Sequence, residues 1–416
     1  MNNDVKILRE LAAQYAELAG QPIQEERRKL WAAQNSLKKT RPLIIVQPWG
    51  LWIEWCREVF ADANMQCKDP FFRGHERQLR ISIFSAQVGD DRISEPWINQ
   101  GASLVVNPDG PWGVETEVVS SGVDGGAVKQ IAPLDDWGKM DRLVAPRHQI
   151  DEEETARNVE HLQEVVGDIL EVNVNRTPIL GYAAKGSIAE TLCELRGMEE
   201  AMMDMLEHPD ELHKLAAFMR DATLANHDQA EAAGDWSLTS GFNQAMAYAE
   251  ELARPKANVF GHTRSEIWGW AQAQELTMVS PQMHEEFFLQ YQIPIMEKFG
   301  LMAYGCCGDL TRKIDMLRQI QNLRMISVAP VADVARCAEQ IGPDYVISYR
   351  PNPTDMVCCG FDEAKIRRIL SKDMDALRAN DCRFHINLKD VYTVEGDPCR
   401  ISRWTKIVRE VMAERF

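Results

Sequence analysis

Short apolar runs and longer amphipathic segments alternate along the last third of the chain. The runs LMAYG, RMISVAP, DYVISY and RFHINL are typical of buried strands. Each precedes a segment with helical spacing: DLTRKIDMLRQI, DVARCAEQI, DEAKIRRILSKDMDALRA and ISRWTKIVREVMAERF. This alternation predicts an α/β fold with a parallel sheet. Because the chain has no GxGxxG fingerprint, we predict a (β/α)8 TIM barrel rather than a dinucleotide-binding sheet.

The earlier parts of the chain extend this pattern. Residues 1–40 are amphipathic and predict a helical N-terminal extension, which Arg41-Pro42 ends before the apolar run 43–46. TPILGY at 177–182 predicts another buried strand, and residues 187–231 have helical spacing. No internal repeat or low-complexity linker interrupts the chain. We therefore predict that residues 41–416 form one barrel domain.

The charge balance narrows the classes of partner. The chain carries 46 basic and 63 acidic residues, a formal net charge of −17. Such an acidic surface repels phosphate groups, so we expect no nucleic-acid or anionic-membrane partner. The sequence has no apolar run of about 18 residues and no secretory h-region. These features predict a cytoplasmic protein.

Polar and aromatic residues follow several predicted strands, at the end where barrels bind their ligands. Together with the tryptophans of the segment 244–275, they predict a polar pocket with aromatic walls. The residues are Gln47, Trp49, Trp52, Glu54, Lys185, Trp268, Trp270, Cys306, Cys307, Arg350, Asn352, His385, Asn387, Lys389 and Asp390.

The adjacent cysteines Cys306 and Cys307 carry the most specific chemistry in this set. A thiolate at a strand end is a nucleophile or a soft metal ligand, and the alternative is a pair of buried thiols. A metal site is favoured, because strand-end Cys, His and Glu side chains can converge on one zinc ion. Glu275 is either an oxygen ligand, a general acid or a solvated glutamate at a helix start. Tyr304 is expected to point at the barrel mouth.

Three segments resemble the uroporphyrinogen decarboxylase superfamily of (β/α)8 barrels. They are RGMEEAMMDMLEHPDELHKL, SPQMHEEFFLQYQIPIMEKFGLMAYGCCG and YVISYRPNP. VQPWGLWIEW stands where the decarboxylases carry an arginine-rich motif. The chain looks more like the corrinoid-linked zinc methyltransferases, and YGCCG and LKDVYT look most like their O-demethylase branch. The coenzyme M branch of these methyltransferases binds zinc through His-x-Cys and a cysteine after the last strand. Cys306 matches the first cysteine of that branch, whereas Tyr304 stands at its histidine and Leu388-Lys389-Asp390 at its last cysteine.

The resemblance implies a methyltransferase of anaerobic metabolism that moves a methyl group from a small methylated compound to a corrinoid. The methylcobalamin would be carried by a partner protein, and a homodimer is possible. Zinc would be bound by Cys306 with some of Cys307, His385 and Glu275. The implied catalytic residues are Glu275, Tyr304, Lys389 and Asp390, with Glu275 or Tyr304 protonating the leaving oxygen. The implied substrate pocket comprises Gln47, Trp49, Trp52, Trp268, Arg350 and Asn352.

Two other functions remain open at this point. A decarboxylase would need cationic side chains to hold an acidic substrate, and Arg350 and Lys389 are the strand-end candidates. A corrinoid-handling barrel that has lost its metal would need no catalytic residues. A shared barrel fold does not distinguish these functions.

Overall fold

The computed structural model describes residues 2–47, 59–122, 128–181, 187–239 and 244–416. Its strands are β1 (Leu43–Val46), β2 (Trp97–Gly101), β3 (Glu117–Ser120), β4 (Val128–Ile131), β5 (Glu171–Asn175), β6 (Trp268–Ala271), β7 (Leu301–Tyr304), β8 (Leu323–Val328), β9 (Val346–Tyr349) and β10 (Arg383–Leu388). Trp49, Trp52, Glu54 and Lys185 lie outside the described residues.

The first helices are α1 (Asn3–Ala19), α2 (Ile23–Asn35), α3 (Pro70–Gln87), α4 (Glu152–Val166), α5 (Ala189–Arg196), α6 (Met198–Glu207) and α7 (Pro209–Ala233). The later helices are α8 (Pro281–His284), α9 (Gln290–Met296), α10 (Ile314–Leu317), α11 (Val334–Ile341), α12 (Glu363–Ala379) and α13 (Cys399–Ala413). Ser280 caps α8 by accepting the backbone N–H of Met283, and Pro281 occupies its first turn. No helix in the described ranges has the length and apolar content needed to cross a bilayer.

Six parallel strands form the main sheet, in the order β1-β10-β9-β8-β7-β6. The first strand pairs with the last, Leu43 opposite His385 and Val46 opposite Leu388, as a barrel of successive βα units requires. β2 and β5 pair separately, and β3 and β4 form an antiparallel hairpin. The predicted α/β class is confirmed. The sheet is compatible with a TIM barrel, although within the described ranges no strand pairing closes it.

Side chains alternate between the two faces of this sheet. Leu43, Ile45 and Ala303 pack with Trp31 of α2 in one cluster, which lies on the inner face. Val46 and Tyr304 belong to the larger cluster formed with the surrounding helices. This alternation follows from the two-residue period of a strand. It decides which strand residues can reach a central site.

The N-terminal helices have different neighbours. α1 packs on α3 and α4, in a core of its own with β2 and β5. α2 lies against the main sheet, where the Trp31 indole donates to the carbonyl of Asp91 at 2.7 Å. The extension is helical, as predicted, whereas its division from a domain starting at residue 41 stays a prediction.

Two predicted strands differ from the structure. TPILGY is not a strand: residues 177–181 form a turn in which the Gly181 N–H donates to the carbonyl of Pro178 at 2.8 Å. The strand lies just before it, at β5. The sequence also allows a strand in DWSLTSGF at 235–242, and its described residues, 235–239, lie outside the sheets. A short apolar run followed by proline or glycine does not by itself fix where a strand begins.

Candidate functional site

The cysteine pair lies directly after β7. Gly305, with a φ of 103°, forms the turn between the end of β7 and Cys306. A Cβ atom at this position would lie 2.7 Å from the Leu310 side chain. Glycine therefore suits this turn both conformationally and sterically. Cys306 is buried and Cys307 is exposed, and their sulfur atoms are 3.5 Å apart.

Two buried cations converge on the Cys306 sulfur from neighbouring strands. Arg350 follows β9 and places Nη1 3.6 Å from Cys306 Sγ and 2.9 Å from the Cys306 carbonyl oxygen. Lys389 follows β10 and places Nζ 3.5 Å from the same sulfur. The ammonium group also lies 5.7 Å from the centre of the Trp270 ring. The sequence prediction that Cys306, Arg350 and Lys389 share one edge of the sheet agrees with these contacts.

These contacts shift the pKa values of the two cysteines in opposite directions. The hydrogen bond from Cys307 and the charges of Arg350 and Lys389 lower the pKa of Cys306 to about 5, against the opposing effect of burial. The neighbouring sulfur, burial and Asp390 raise the pKa of Cys307. The Cys307 sulfur also lies 3.4 Å from Asp390 Oδ2, so the Cys306 sulfur and this carboxylate compete for its one proton. At neutral pH, Cys306 is therefore a thiolate beside a protonated Cys307.

The turn that carries the cysteines is held by hydrogen bonds to one carbonyl group. The Gly305 oxygen accepts from Trp270 Nε1 at 2.8 Å, Gln244 Nε2 at 3.0 Å and Ser327 Oγ at 3.1 Å. Gln244 Oε1 in turn accepts from Arg350 Nη2 at 2.8 Å. Gln244 therefore joins the cysteine turn to the arginine. Gln244 is not recognisable from the sequence, because a single glutamine in a segment of irregular spacing gives no signal.

Two carboxyl groups complete this region. Glu190 on α5 accepts from Gln272 Nε2 at 3.3 Å, and Glu275 lies in a 3-10 turn at Gln274–Leu276. Burial, followed by the charges of Glu275 and Glu194, raises the pKa of Glu190 to about 7. Burial also raises the pKa of Glu275. Both carboxyl groups are close enough to Cys306 for its charge to favour their protonated forms.

Glu190 therefore exchanges its proton near neutral pH, and burial raises the pKa of the neighbouring Glu275 carboxyl group as well. Glu275 Oε2 is buried and has no hydrogen-bond partner in the described part of the molecule. Glu275 is a possible acid from its sequence position alone, whereas Glu190 is not recognisable, because it lies in the predicted helical stretch without any distinguishing neighbour.

A cavity of about 850 Å³ lies between the segment 108–117 and α5. Glu194 and Thr191 line its α5 side, one turn or less from Glu190. Its volume is within the range of small-molecule sites, roughly 300–1,000 Å³. Neither Glu190 nor Glu275 lines this cavity, so it adjoins α5 without including the carboxyl pair.

Tyr304 does not point at the mouth, contrary to the sequence expectation. Its hydroxyl donates to Gln292 Oε1 at 3.0 Å and lies 3.0 Å from His284 Nε2. Both partners belong to the helical layer, and the tyrosine is fully buried there. The strand alternation described above is the physical reason. In this position Tyr304 cannot protonate a substrate in the central site.

His385 is not brought to the cysteines either. Its Nε2 lies 2.9 Å from the Gln244 carbonyl oxygen, which can only accept, so this nitrogen carries the proton. Nδ1 then accepts from Gln34 Nε2 at 3.3 Å. Burial lowers the pKa of His385 to about 3. A neutral ring with both nitrogens engaged is a structural group, and this is a correction to the predicted metal ligand.

The remaining predicted substrate residues occupy several environments. Gln47 is buried, and its backbone N–H donates to the Leu388 carbonyl at 2.9 Å. Trp268 packs in the inner cluster with Trp31. Asn352 is exposed and caps a turn by accepting the Thr354 N–H at 3.0 Å. Among the predicted substrate residues that lie in the described ranges, Arg350 alone forms a hydrogen bond with Cys306.

The described side chains do not fit the predicted zinc ion. Within the described ranges, no three His, Cys, Asp or Glu side chains are grouped so that they could hold a metal. Lys389 and Arg350 are the charged neighbours of the Cys306 thiolate. A zinc ion bound to this sulfur would be repelled by both cations.

Comparison with known proteins gives a likeness of fold. No family model matches the sequence, and no curated protein matches it. Among solved structures, a methyltransferase from Methanosarcina mazei is similar, with a TM-score of 0.51 at 11% sequence identity. The match covers 93% of this chain and 97% of that one. At this identity the likeness shows a shared fold over nearly the whole of both chains.

Proposed function

We propose that this chain is a methyltransferase that moves a methyl group from a small methoxylated or otherwise methylated compound to a corrinoid. The corrinoid is a co-substrate carried by a partner protein. One observation carries the proposal: a thiolate and two buried cations occur together at the carboxyl edge of the sheet, close to Glu190, whose pKa is about 7. Catalytic groups of βα barrels occupy this edge. The fold shared with the methyltransferase from Methanosarcina mazei supports the same reaction class.

In this proposal a carboxyl group protonates the leaving oxygen of a methyl ether. When the methyl–oxygen bond breaks, its electron pair stays on the oxygen, and an alkoxide is a poor leaving group. Glu190, with its pKa near neutrality, donates a proton to that oxygen. The methyl carbon forms its new bond to the cobalt of the partner's cob(I)alamin. Glu190 then recovers its proton from water.

The cations stabilise the negative charge that develops before this proton arrives. Lys389 has three N–H donors, and in the described ranges its one polar contact is Cys306 Sγ. Its remaining donors can therefore bind the leaving oxygen. Because the ammonium group is buried, this electrostatic stabilisation is stronger than it would be in water. Cys306 acts here by fixing the position of Lys389 and Arg350.

The proposal is tested with purified protein, free cob(I)alamin and a panel of methoxybenzoates. We expect methylcobalamin and the corresponding phenol to form in equal amounts. Cys306→Ala should reduce the rate at least about tenfold, since it removes the anion that positions two cations. Cys399→Ala, at an exposed free cysteine, is the matched control. Equal rates for the two variants would remove the basis for placing the reaction at Cys306.

Zinc bound through Cys306 stays a prediction of the sequence, and elemental analysis tests it. Decarboxylation is the second candidate, because Arg350 and Lys389 do converge as that reaction requires. However, Glu190 and Glu275 would lie beside the carboxylates of such a substrate. Release of carbon dioxide from an acidic substrate, without transfer of a methyl group, would favour it.

A further inference from the structure

A second cavity, of about 350 Å³, lies between α1, α3 and the segment 92–94. One face of α3 lines it, including Gly74, Ile81, Ser82 and Ser85. Gly74 has no atoms within 4 Å of the position of an added Cβ, so small side chains leave this space open. The lining residues include neither Cys306 nor any residue in contact with it.

Arg92 supplies a positive charge to this cavity, and it forms no ion pair with a carboxylate of the described residues. One terminal nitrogen donates to the carbonyl of Val46, and Nε is buried without a hydrogen-bond partner in the described residues. Asp90 attracts the guanidinium, but no carboxylate of the described ranges lies within 4 Å of it. Arg77, the other arginine of the lining, is paired with Asp62. Arg92 is therefore the cation available to a ligand.

The other lining residues indicate the size and polarity of that ligand. Ser85 and Ser94 are more than nine-tenths buried, so their hydroxyl groups are available only to the cavity or its immediate walls. Ile81 and Ile93 provide apolar contact. Arg92 is half-buried with a buried Nε, and such a cation is retained at lower cost when an anion can share its hydrogen bonds.

We infer that this cavity binds a small organic carboxylate, with its charged end at Arg92 and its apolar body against Ile81 and Ile93. A guanidinium and a carboxylate match in geometry as well as in charge. Inorganic anions lack the apolar body. The site is separate from the proposed methyl-transfer site, so it does not depend on that function.

Titration calorimetry of the full chain with butyrate and with butyramide tests the inference, because the two probes share a shape and differ in charge. We expect butyrate to bind at least about tenfold more tightly, as charge-assisted hydrogen bonds contribute more than neutral ones. Chloride at the same ionic strength should not compete. Equal binding of the two probes, or no binding of butyrate, would overturn the inference.

Two variants locate the binding. Ser82→Leu fills the cavity and leaves Arg92 in place, while Arg92→Met removes the charge, and each should weaken butyrate binding at least about tenfold. Gln87→Leu, at an exposed position on the same helix, is the matched control. If Arg92→Met does not fold, Ser82→Leu decides, with circular dichroism as the check of folding. Unchanged binding by Ser82→Leu, or loss of binding in Cys306→Ala, would refute this location.

Discussion

Replacing Lys389 with methionine should raise the pKa of the Cys306 thiol. The change removes a positive charge 3.5 Å from the sulfur and keeps a side chain of similar length. A hydrogen bond to a charged group contributes about 1.5–3 kcal/mol, and one pKa unit corresponds to about 1.4 kcal/mol. The pKa of Cys306 should therefore rise from about 5 to about 6 or 7. Arg350 and Cys307 still lower it in the variant.

The rate of alkylation by iodoacetamide measures this change, because the thiolate is the reacting form. The rate at Cys306 is followed against pH and assigned by mass spectrometry of its peptide. In the variant, the rise in rate should shift to higher pH, so that reactivity at pH near 5.5 falls most.

Lys389→Arg keeps the charge and should restore most of the original profile. Lys365→Met is the control, since this lysine pairs with Asp355 rather than with a cysteine. An unchanged profile in Lys389→Met, or the same shift in the control, would refute the assignment of Lys389 as a charge partner of Cys306.

Three further predictions follow from the site and its surroundings. Because Glu190 must be protonated to act as an acid, the methyl-transfer rate should fall as pH rises above about 7. Glu190→Gln should abolish this pH dependence and lower the rate about 10²-fold or more. Profiles of rate against pH measure both effects. Tyr304→Phe should reduce the free energy of unfolding by about 1–3 kcal/mol in urea titrations, because Gln292 loses a buried hydrogen-bond partner. The methyl-transfer rate should change little. A large loss of rate in folded protein would show that Tyr304 does act in the site. His385→Leu should also cost about 1–3 kcal/mol, because the Gln244 carbonyl loses a donor, and it should leave the metal content unchanged in elemental analysis.

The sequence predicted the sheet best where its pattern was repeated. The last four strands each carry a short apolar run before an amphipathic segment, and all four occur, from β7 to β10. TPILGY has a similar apolar run but continues no such repeat, and it forms a turn instead. Periodicity is informative when neighbouring elements support it, and one isolated run is ambiguous.

The sequence predicted those site residues whose position depends only on following the end of a strand. Cys306, Arg350 and Lys389 follow β7, β9 and β10, and they meet because parallel strands end at one edge. Tyr304 was misplaced because a shift of one residue along a strand reverses the face of the side chain. Glu190 was missed because its unusual pKa arises from burial and from the distant Glu275, which no local pattern records.

Transfer of an isotopically labelled methyl group tests the central claim most directly. A methoxybenzoate labelled with carbon-13 in its methyl group is incubated with the protein and cob(I)alamin, and the cobalt-bound methyl carbon is followed by nuclear magnetic resonance. The account predicts label on the cobalt with the unmodified protein and its loss with Glu190→Gln at neutral pH. Label that stays on the methoxybenzoate, or equal transfer by both proteins, would contradict the account.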